Sequence, residues 1–490
     1  MLILAIDQGT TGSTALLVDE QQRILAKRNQ EFPQIYPQPA WVEHDPEAIW
    51  ASVLGATNAC LDAVPGARDQ VGAIGITNQR ETTVVWERAS GRAIHNAIVW
   101  QCRRTAEVCA ALKANGLEDE FRHRTGLVLD AYFSGTKIAW LLDHVNDARR
   151  RAEAGELAFG TIDSWLIHKI TAGQSHVTDA TNASRTLVAN LATGDWDDWC
   201  LDQLNIPRAV LPTILDCDGL FGRSVGFCGL PDGTPIHGVL GDQQAALFGQ
   251  ACFQPGDAKC TYGTGAFLLA NCGGEVTHST HGLLATPAWR LGGQTTYALE
   301  GSTFIAGAAV QWLRDELQII DSASEIEALA SQVPDSGGVT FVPALAGLGA
   351  PHWRGDARGV ITGLTRGSGR AEIARAVLDG IALQIVDLLE AAMADCPAPL
   401  ARLRVDGGAA ANNLLMQTQA DLLNVAVDRP PMLESTGLGA ALVAALGVGA
   451  IDQLTDLQQD WALERRFTPQ QDDHWRAGQR TRWQTAVEKA

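Results

Sequence analysis

A strand, a turn rich in glycine and threonine, and a second strand follow one another twice in this sequence. The first 35 residues read as three strands, LILAI, TALLV and ILAKRNQEF, with Asp7-Gln8-Gly9-Thr10-Thr11-Gly12 as the first turn. Near the middle, AKCTYGTGAFLLAN (258–271) repeats the unit around a Thr-Tyr-Gly-Thr-Gly turn. One such unit opening each half predicts two domains of similar architecture, 1–249 and 250–490, divided just after GDQQAALFGQ. Apolar residues at helical spacing over 47–64 and 371–394 predict long helices in both halves, so each domain is of the α/β class. A cleft between two such domains is a natural ligand site.

At 490 residues the chain exceeds what one core usually supports, which agrees with that division. Its formal net charge of -19, from 56 acidic and 37 basic residues, opposes nonspecific binding to nucleic acid or to an anionic membrane. The same field opposes a phosphorylated ligand, so a phosphate site here needs backbone amides, a metal ion or a few placed cations. The 10 cysteines are scattered without a Cys-x-x-Cys pair, which predicts reduced thiols and a cytoplasmic protein. His278 and His281 lie close together without cysteine partners and read as a solvated loop, not a metal site. MLILAIDQGTT is apolar only briefly and lacks a basic leader, and the run 437–450 is too short to span a bilayer. That run reads instead as a tightly packed helix of alanine and glycine, and the protein as soluble.

Several segments have residue types suited to chemistry, each with a plainer alternative. In the first turn, glycines allow close backbone approach to phosphate, and Thr10, Thr11 and Ser13 can donate to it. Asp7, at the head of that turn, can orient a water-ligated Mg²⁺. An ordinary hairpin turn favours the same residues. The spacing matches neither the P-loop nor the dinucleotide fingerprint. The second turn, with Thr264, can clamp a nucleotide's phosphate tail from the other side. Asp406-Gly407-Gly408-Ala409 leads into a helix that includes Asn412, and its Gly-Gly step lets a flat ring lie on the backbone; a simple strand-to-helix turn is the alternative. Arg80 and Glu81 can bind vicinal hydroxyls, the cation donating and the carboxylate accepting, or form a surface ion pair. Trp100, Tyr132 and Phe267 can wall a site or fill a core. Asp242 can cap the helix AALFGQ or act as a general base on an alcohol, with Gln243 holding another hydroxyl. Residue order alone does not choose between these, and no Gly-x-Ser-x-Gly nucleophile motif competes.

Taken together these segments resemble the FGGY carbohydrate kinases, and within them the members that act on glycerol. The likeness runs through DQGTT, WVEHDP, TNQRETT, NAIVWQCRRT, FSGTK, TNASRT, GDQQAALFGQ, TYGTG, LEGSTFIAGAAVQWLRD, VPALAGLGAPHW, GLTRG and RVDGGAAANN, in that order. It implies two actin-like, ribonuclease H-like domains closing over a catalytic cleft. It also implies ATP-dependent phosphorylation of glycerol to sn-glycerol 3-phosphate, by a dimer or tetramer of this chain. Glycerol would be held by Arg80, Glu81, Tyr132, Asp242 and Gln243 between Trp100 and Phe267, with Asp242 as the base. ATP would be held by Thr10, Thr11, Ser13, Thr264, Gly307, Gln311, Gly408 and Asn412, and Mg²⁺ would face Asp7 and Asp242. Two positions depart from the family loop DQGTTSSR: Gly12 replaces a serine, and Thr14 stands where the nucleotide-side arginine is usual, so Thr14 is left out of the site.

Overall fold

The structure is a computed structural model that describes residues 1–431 and 434–490. Six strands form a first sheet: Leu2–Gln8 (β1), Gly12–Val18 (β2), Ile24–Glu31 (β3), Val71–Asn78 (β4), Gly222–Arg223 (β5) and Pro235–Gly241 (β6), in the order β5-β6-β4-β1-β2-β3. Seven form a second: Asp257–Tyr262 (β7), Ala266–Gly273 (β8), Leu284–Leu291 (β9), Gln294–Thr303 (β10), Arg402–Asp406 (β11), Val427–Arg429 (β12) and Arg465–Phe467 (β13), in the order β9-β10-β8-β7-β11-β12-β13. The two are built alike. In each, an antiparallel hairpin (β1/β2, β7/β8) takes a third antiparallel strand on one side, and its first strand pairs in parallel with a later one (β4, β11) on the other.

Eight helices matter for the site: Pro46–Asp62 (α1), Ser134–His144 (α2), Ala180–Ala183 (α3), Asp242–Gly249 (α4), Gly307–Asp315 (α5), Arg370–Asp395 (α6), Asn413–Leu423 (α7) and Ser435–Gly447 (α8). The predicted helix over 47–64 is α1, started by Asp45, whose carboxylate accepts from the Glu47 amide at 2.9 Å, and by Pro46. Its Ile49, Val53 and Ala56 pack on Leu4, Ile6 and Leu17. Each such buried aliphatic side chain contributes about 1.5–3 kcal/mol. The predicted helix over 371–394 is α6, which fills the second core with Val377, Ile381 and Ile385.

The opposite face of the first sheet, with Ile3, Ala5 and Leu16, is covered by Ala441 and Ala444 of α8. This is the alanine- and glycine-rich run, and it comes from the far end of the chain. Its small residues allow backbone-to-backbone packing: a Cβ on Gly439 would stand 1.9 Å from the Ala245 carbonyl oxygen of α4.

One sequence expectation does not hold. Cys272 on β8 and Cys396 at the end of α6 are joined as a disulfide, 124 residues apart in the chain, and the other eight cysteines are free. Spacing rules detect local pairs, and this one is made by two elements that meet only in the folded core. No helix among the described residues is long and apolar enough to cross a membrane.

Candidate active site

The first turn sits at the end of β1, closed by the Gly9 amide on the Gly12 carbonyl at 2.9 Å. Asp7 and Thr10 are half-buried and Thr11 is exposed. The Trp100 indole donates to Thr10 Oγ1 at 2.9 Å, which ties a candidate polyol wall to the candidate phosphate loop. Ser13 is different: it is fully buried, with its hydroxyl on that of Ser52 in α1 at 2.7 Å. Strand alternation is the reason. Asp7 pairs with Thr14 and faces α8, so Ser13, one residue away, faces α1. The Ser13 hydroxyl therefore serves sheet–helix packing.

In the second turn, the carbonyls of Gly263 and Thr264 accept from the first amides of α5, Gly307 at 2.9 Å and Ala308 at 3.1 Å. That fixes the turn on the helix and leaves Thr264 and Gln311 exposed. Gly407 has a left-handed φ of 83° and stacks on the same turn, since a Cβ there would stand 2.5 Å from the Tyr262 carbonyl oxygen. Gly408, next to it, is open. Asn412 caps α7 by accepting from the Leu415 amide at 2.9 Å, which leaves its Nδ2 for a ligand.

Between the turns lies a buried cluster of charge. Arg80 donates to both carboxylate oxygens of Glu300, Nη1 at 2.5 Å and Nη2 at 2.9 Å, and to Gln244 Oε1 at 3.1 Å. Its Nε stands 3.1 Å from Asp242 Oδ1. Arg185 bridges Glu81 at 2.7 Å and Glu300 at 2.9 Å. Glu81, at a left-handed φ of 60°, is held in that strained backbone by Ser134 Oγ and Lys137 Nζ on its carbonyl. Trp100 and Tyr132 meet edge to face with centroids 5.6 Å apart. Lys259, fully buried, donates to Gln243 Oε1 at 2.5 Å and Thr261 Oγ1 at 2.9 Å. An ammonium only donates, so Gln243 is left with its NH₂ for a ligand.

Sheet register explains the second half's share. Lys259, Leu269 and Glu300 lie abreast across β7, β8 and β10, and Thr261, Phe267 and Ser302 form the next row on the same face. That face looks toward α4. The helix begins at Asp242 with Gly241 as its N-cap, and the Asp242 carboxylate makes no capping bond to the first turn beyond the adjacent Gln243 amide at 2.7 Å. The helix-cap reading of Asp242 is thus not what the structure has. Gly241 is fixed instead by Thr181 Oγ1, which accepts from its amide at 2.8 Å and donates to Asp179 at 2.6 Å.

Electrostatics follow from this packing. Burial raises the Asp242 carboxyl above the usual range against the pull of Arg80 and Lys259. Burial and the charge of Asp242 push Asp7 up to about 7. Burial would also raise Glu300, but Arg185 and Arg80 outweigh it and hold the group at about 2. No cluster of three or more His, Cys, Asp or Glu side chains able to hold a metal is found among the described residues. Asp7 and Asp242 sense each other's charge, and two such carboxylates could hold a Mg²⁺, which is bound by few protein ligands.

A model of the FGGY family of carbohydrate kinases matches the chain twice, its N-terminal domain over residues 2–249 and its C-terminal domain over 258–448. The chain belongs to this family. Its two sheets are the cores of the two actin-like, ribonuclease H-like domains of an FGGY kinase. Among its relatives, the glycerol kinase of Myxococcus xanthus is 53% identical over all of this chain and 99% of its own length. The glycerol kinase of Trichlorobacter lovleyi is 56% identical over 100% and 98%. Plasmodium falciparum glycerol kinase, solved with ADP, superposes with a TM-score of 0.94 at 36% identity, covering 100% of this chain and 98% of that one. Xylulose kinase from Lactobacillus acidophilus shares the fold at 22% identity, with a TM-score of 0.89 over 100% and 96%.

Arg185, Glu300, Lys259 and Thr181 were not singled out from sequence. For two of them a signal was there: Lys259 and Glu300 are charged residues in the middle of the strands DAKCTY and QTTYALEGST.

Proposed function

We infer that this FGGY kinase transfers the γ-phosphoryl group of ATP to a primary hydroxyl of glycerol, giving sn-glycerol 3-phosphate and ADP. The observation that carries this reading is the meeting of Arg80, Glu81, Asp242 and Gln243 in one pocket of charge, joined to the first phosphate turn through Trp100 and Thr10. Identity above 50% along the whole chain to glycerol kinases supports the choice of substrate.

In this reading residues 1–249 form the polyol side and 250–490 the nucleotide side. Arg80 and Gln243 donate to polyol oxygens, Glu81 accepts, and Trp100, Tyr132 and Phe267 exclude water. Thr10, Thr11 and Thr264 receive the phosphates, while Gly307, Gln311, Gly408 and Asn412 hold the nucleoside end. The attacking hydroxyl gives its proton to Asp242 as its oxygen bonds to the γ-phosphorus, and the bond to the bridging oxygen breaks with ADP taking the electron pair. Mg²⁺ at Asp7 and Asp242 would neutralise charge on the transferring group. The enzyme works in the cytoplasm as a dimer or tetramer.

An ADP-release assay with glycerol, dihydroxyacetone, erythritol and xylulose tests the assignment. Glycerol is expected to give the highest kcat/KM. A higher value on another acceptor overturns the substrate, and ATP binding without ADP release from any of them overturns the activity.

A further inference from the structure

We propose that Glu300 is a positioning residue for the polyol site, supplied by the second domain to fix the guanidinium of Arg80 and, through Arg185, the carboxylate of Glu81. This rests on the glycerol-kinase reading of the pocket.

Arg80 has five N–H donors. Both hydrogens of Nη1 are taken, by Glu300 Oε2 and Gln244 Oε1, and one of Nη2 by Glu300 Oε1. What remains for a ligand is the second Nη2 hydrogen, together with Nε beside Asp242. Glu300 thus decides which edge of the fork faces the pocket. On its other side Glu300 Oε1 also accepts from Arg185 Nη2, and Arg185 Nε reaches Glu81 Oε1, so one carboxylate aims two ligand-binding groups of opposite charge.

The side chains of Arg80, Arg185, Glu81 and Glu300 are 2%, 0%, 1% and 1% exposed, so water does not solvate them. Glu300 stands between two arginines, and its loss leaves Arg185 with Glu81 at 2.7 Å and Arg80 with the catalytic Asp242 at 3.1 Å and, farther off, Glu81 at 3.9 Å. A buried cation with an unmet partner turns to the next carboxylate. For Arg80 that is Asp242, which would then be held by the guanidinium instead of by the substrate hydroxyl. The charge of Glu300 comes from β10 of the second sheet and meets Arg80 on the loop after β4 of the first, so the polyol pocket is assembled only when both domains are in place.

The test is steady-state kinetics on Glu300→Gln and Glu300→Asp, run beside the wild type on glycerol and ATP. Wild-type turnover on glycerol establishes the underlying reading by itself, so its absence is a failure of that reading and not of this one. Given turnover, Glu300→Gln should raise KM for glycerol by about tenfold or more and lower kcat, with KM for ATP within about twofold of wild type. Glu300→Asp keeps the charge on a shorter stem and should recover part of the glycerol KM. A glycerol KM within about twofold of wild type in Glu300→Gln overturns the proposal. Equal losses for both substrates that track a lowered Tm overturn it too, because they describe general loosening. If Glu300→Gln does not fold, Glu300→Asp decides: its KM for glycerol must rise selectively or the positioning role is refuted.

Discussion

Thr181→Val is the sharpest single probe of how Asp242, the proposed base, is held. Thr181 is fully buried on the short helix α3, accepts from the Gly241 amide at 2.8 Å and donates to Asp179 Oδ2 at 2.6 Å. Valine has the same shape, so no cavity opens and the loss is purely of hydrogen bonds. Asp179 keeps the amides of Thr181 and Asn182 and the Asn182 side chain, so losing one donor there costs about 1 kcal/mol. The Gly241 amide, which is buried, would lose this partner at a further cost of about 1–3 kcal/mol. The expected destabilisation is about 2–4 kcal/mol, read as a lowered urea midpoint at unchanged slope against the Thr181→Ser control. Because Gly241 leads directly into Asp242, a loosened backbone also displaces the proposed base, and kcat should fall by about tenfold or more. A valine variant within about 0.5 kcal/mol of the serine control, with normal kcat, refutes the idea that Thr181 anchors the strand end that carries Asp242.

Asp242→Asn should fold normally and lose on the order of 10²–10⁴ in kcat, and near-normal turnover removes it as base. Gly407→Ala puts a Cβ 2.5 Å from the Tyr262 carbonyl in a left-handed conformation, so the second turn must shift; KM for ATP should rise about tenfold with KM for glycerol unchanged, as read by initial rates. His44 is fully buried against Gln34 and Gln79, and burial holds its pKa at about 4, below the ordinary 6.5. The unfolded chain therefore takes up this proton below pH 6.5 while the folded one does not until about 4. Stability from His44 is complete above 6.5 and falls by about 2 kcal/mol by pH 5. Thermal unfolding from pH 7.5 to 5 should show a shallower decline in His44→Gln than in wild type; parallel curves refute it.

Local pattern made the frame legible. Alternation in LILAI and TALLV with a glycine turn gives β1 and β2, and AKCTY and AFLLA give their counterparts, because a hairpin is written within a dozen residues. Arg80, Asp242 and Thr264, at strand ends and turns, were singled out by residue type and company as candidates for the site. Their partners were not. Arg80 and Glu300 lie 220 positions apart, and Arg185 and Glu81 104, so no local rule connects them. The burial of the Ser13 hydroxyl against Ser52 was not legible for a subtler reason: which of two neighbouring hydroxyls faces the core depends on the register of β1 against β2, and register is fixed by the packing of the sheet on α1. Whether Asp242 caps its helix likewise turned on where the helix starts, a matter of backbone angles.

The packing of α8 on the first sheet makes the chain's two ends interdependent. A fragment stopping at residue 249 would hold every strand of that sheet, yet would leave Ile3, Ala5 and Leu16 bare on one side. The missing lid is the Ser435–Gly447 segment, synthesised almost 200 residues later. During synthesis the first domain must therefore wait, with one greasy face uncovered, for most of the second to emerge. Expressing the halves as separate polypeptides would divide each from part of its own core, and any successful split of this enzyme has to leave α8 with the first sheet.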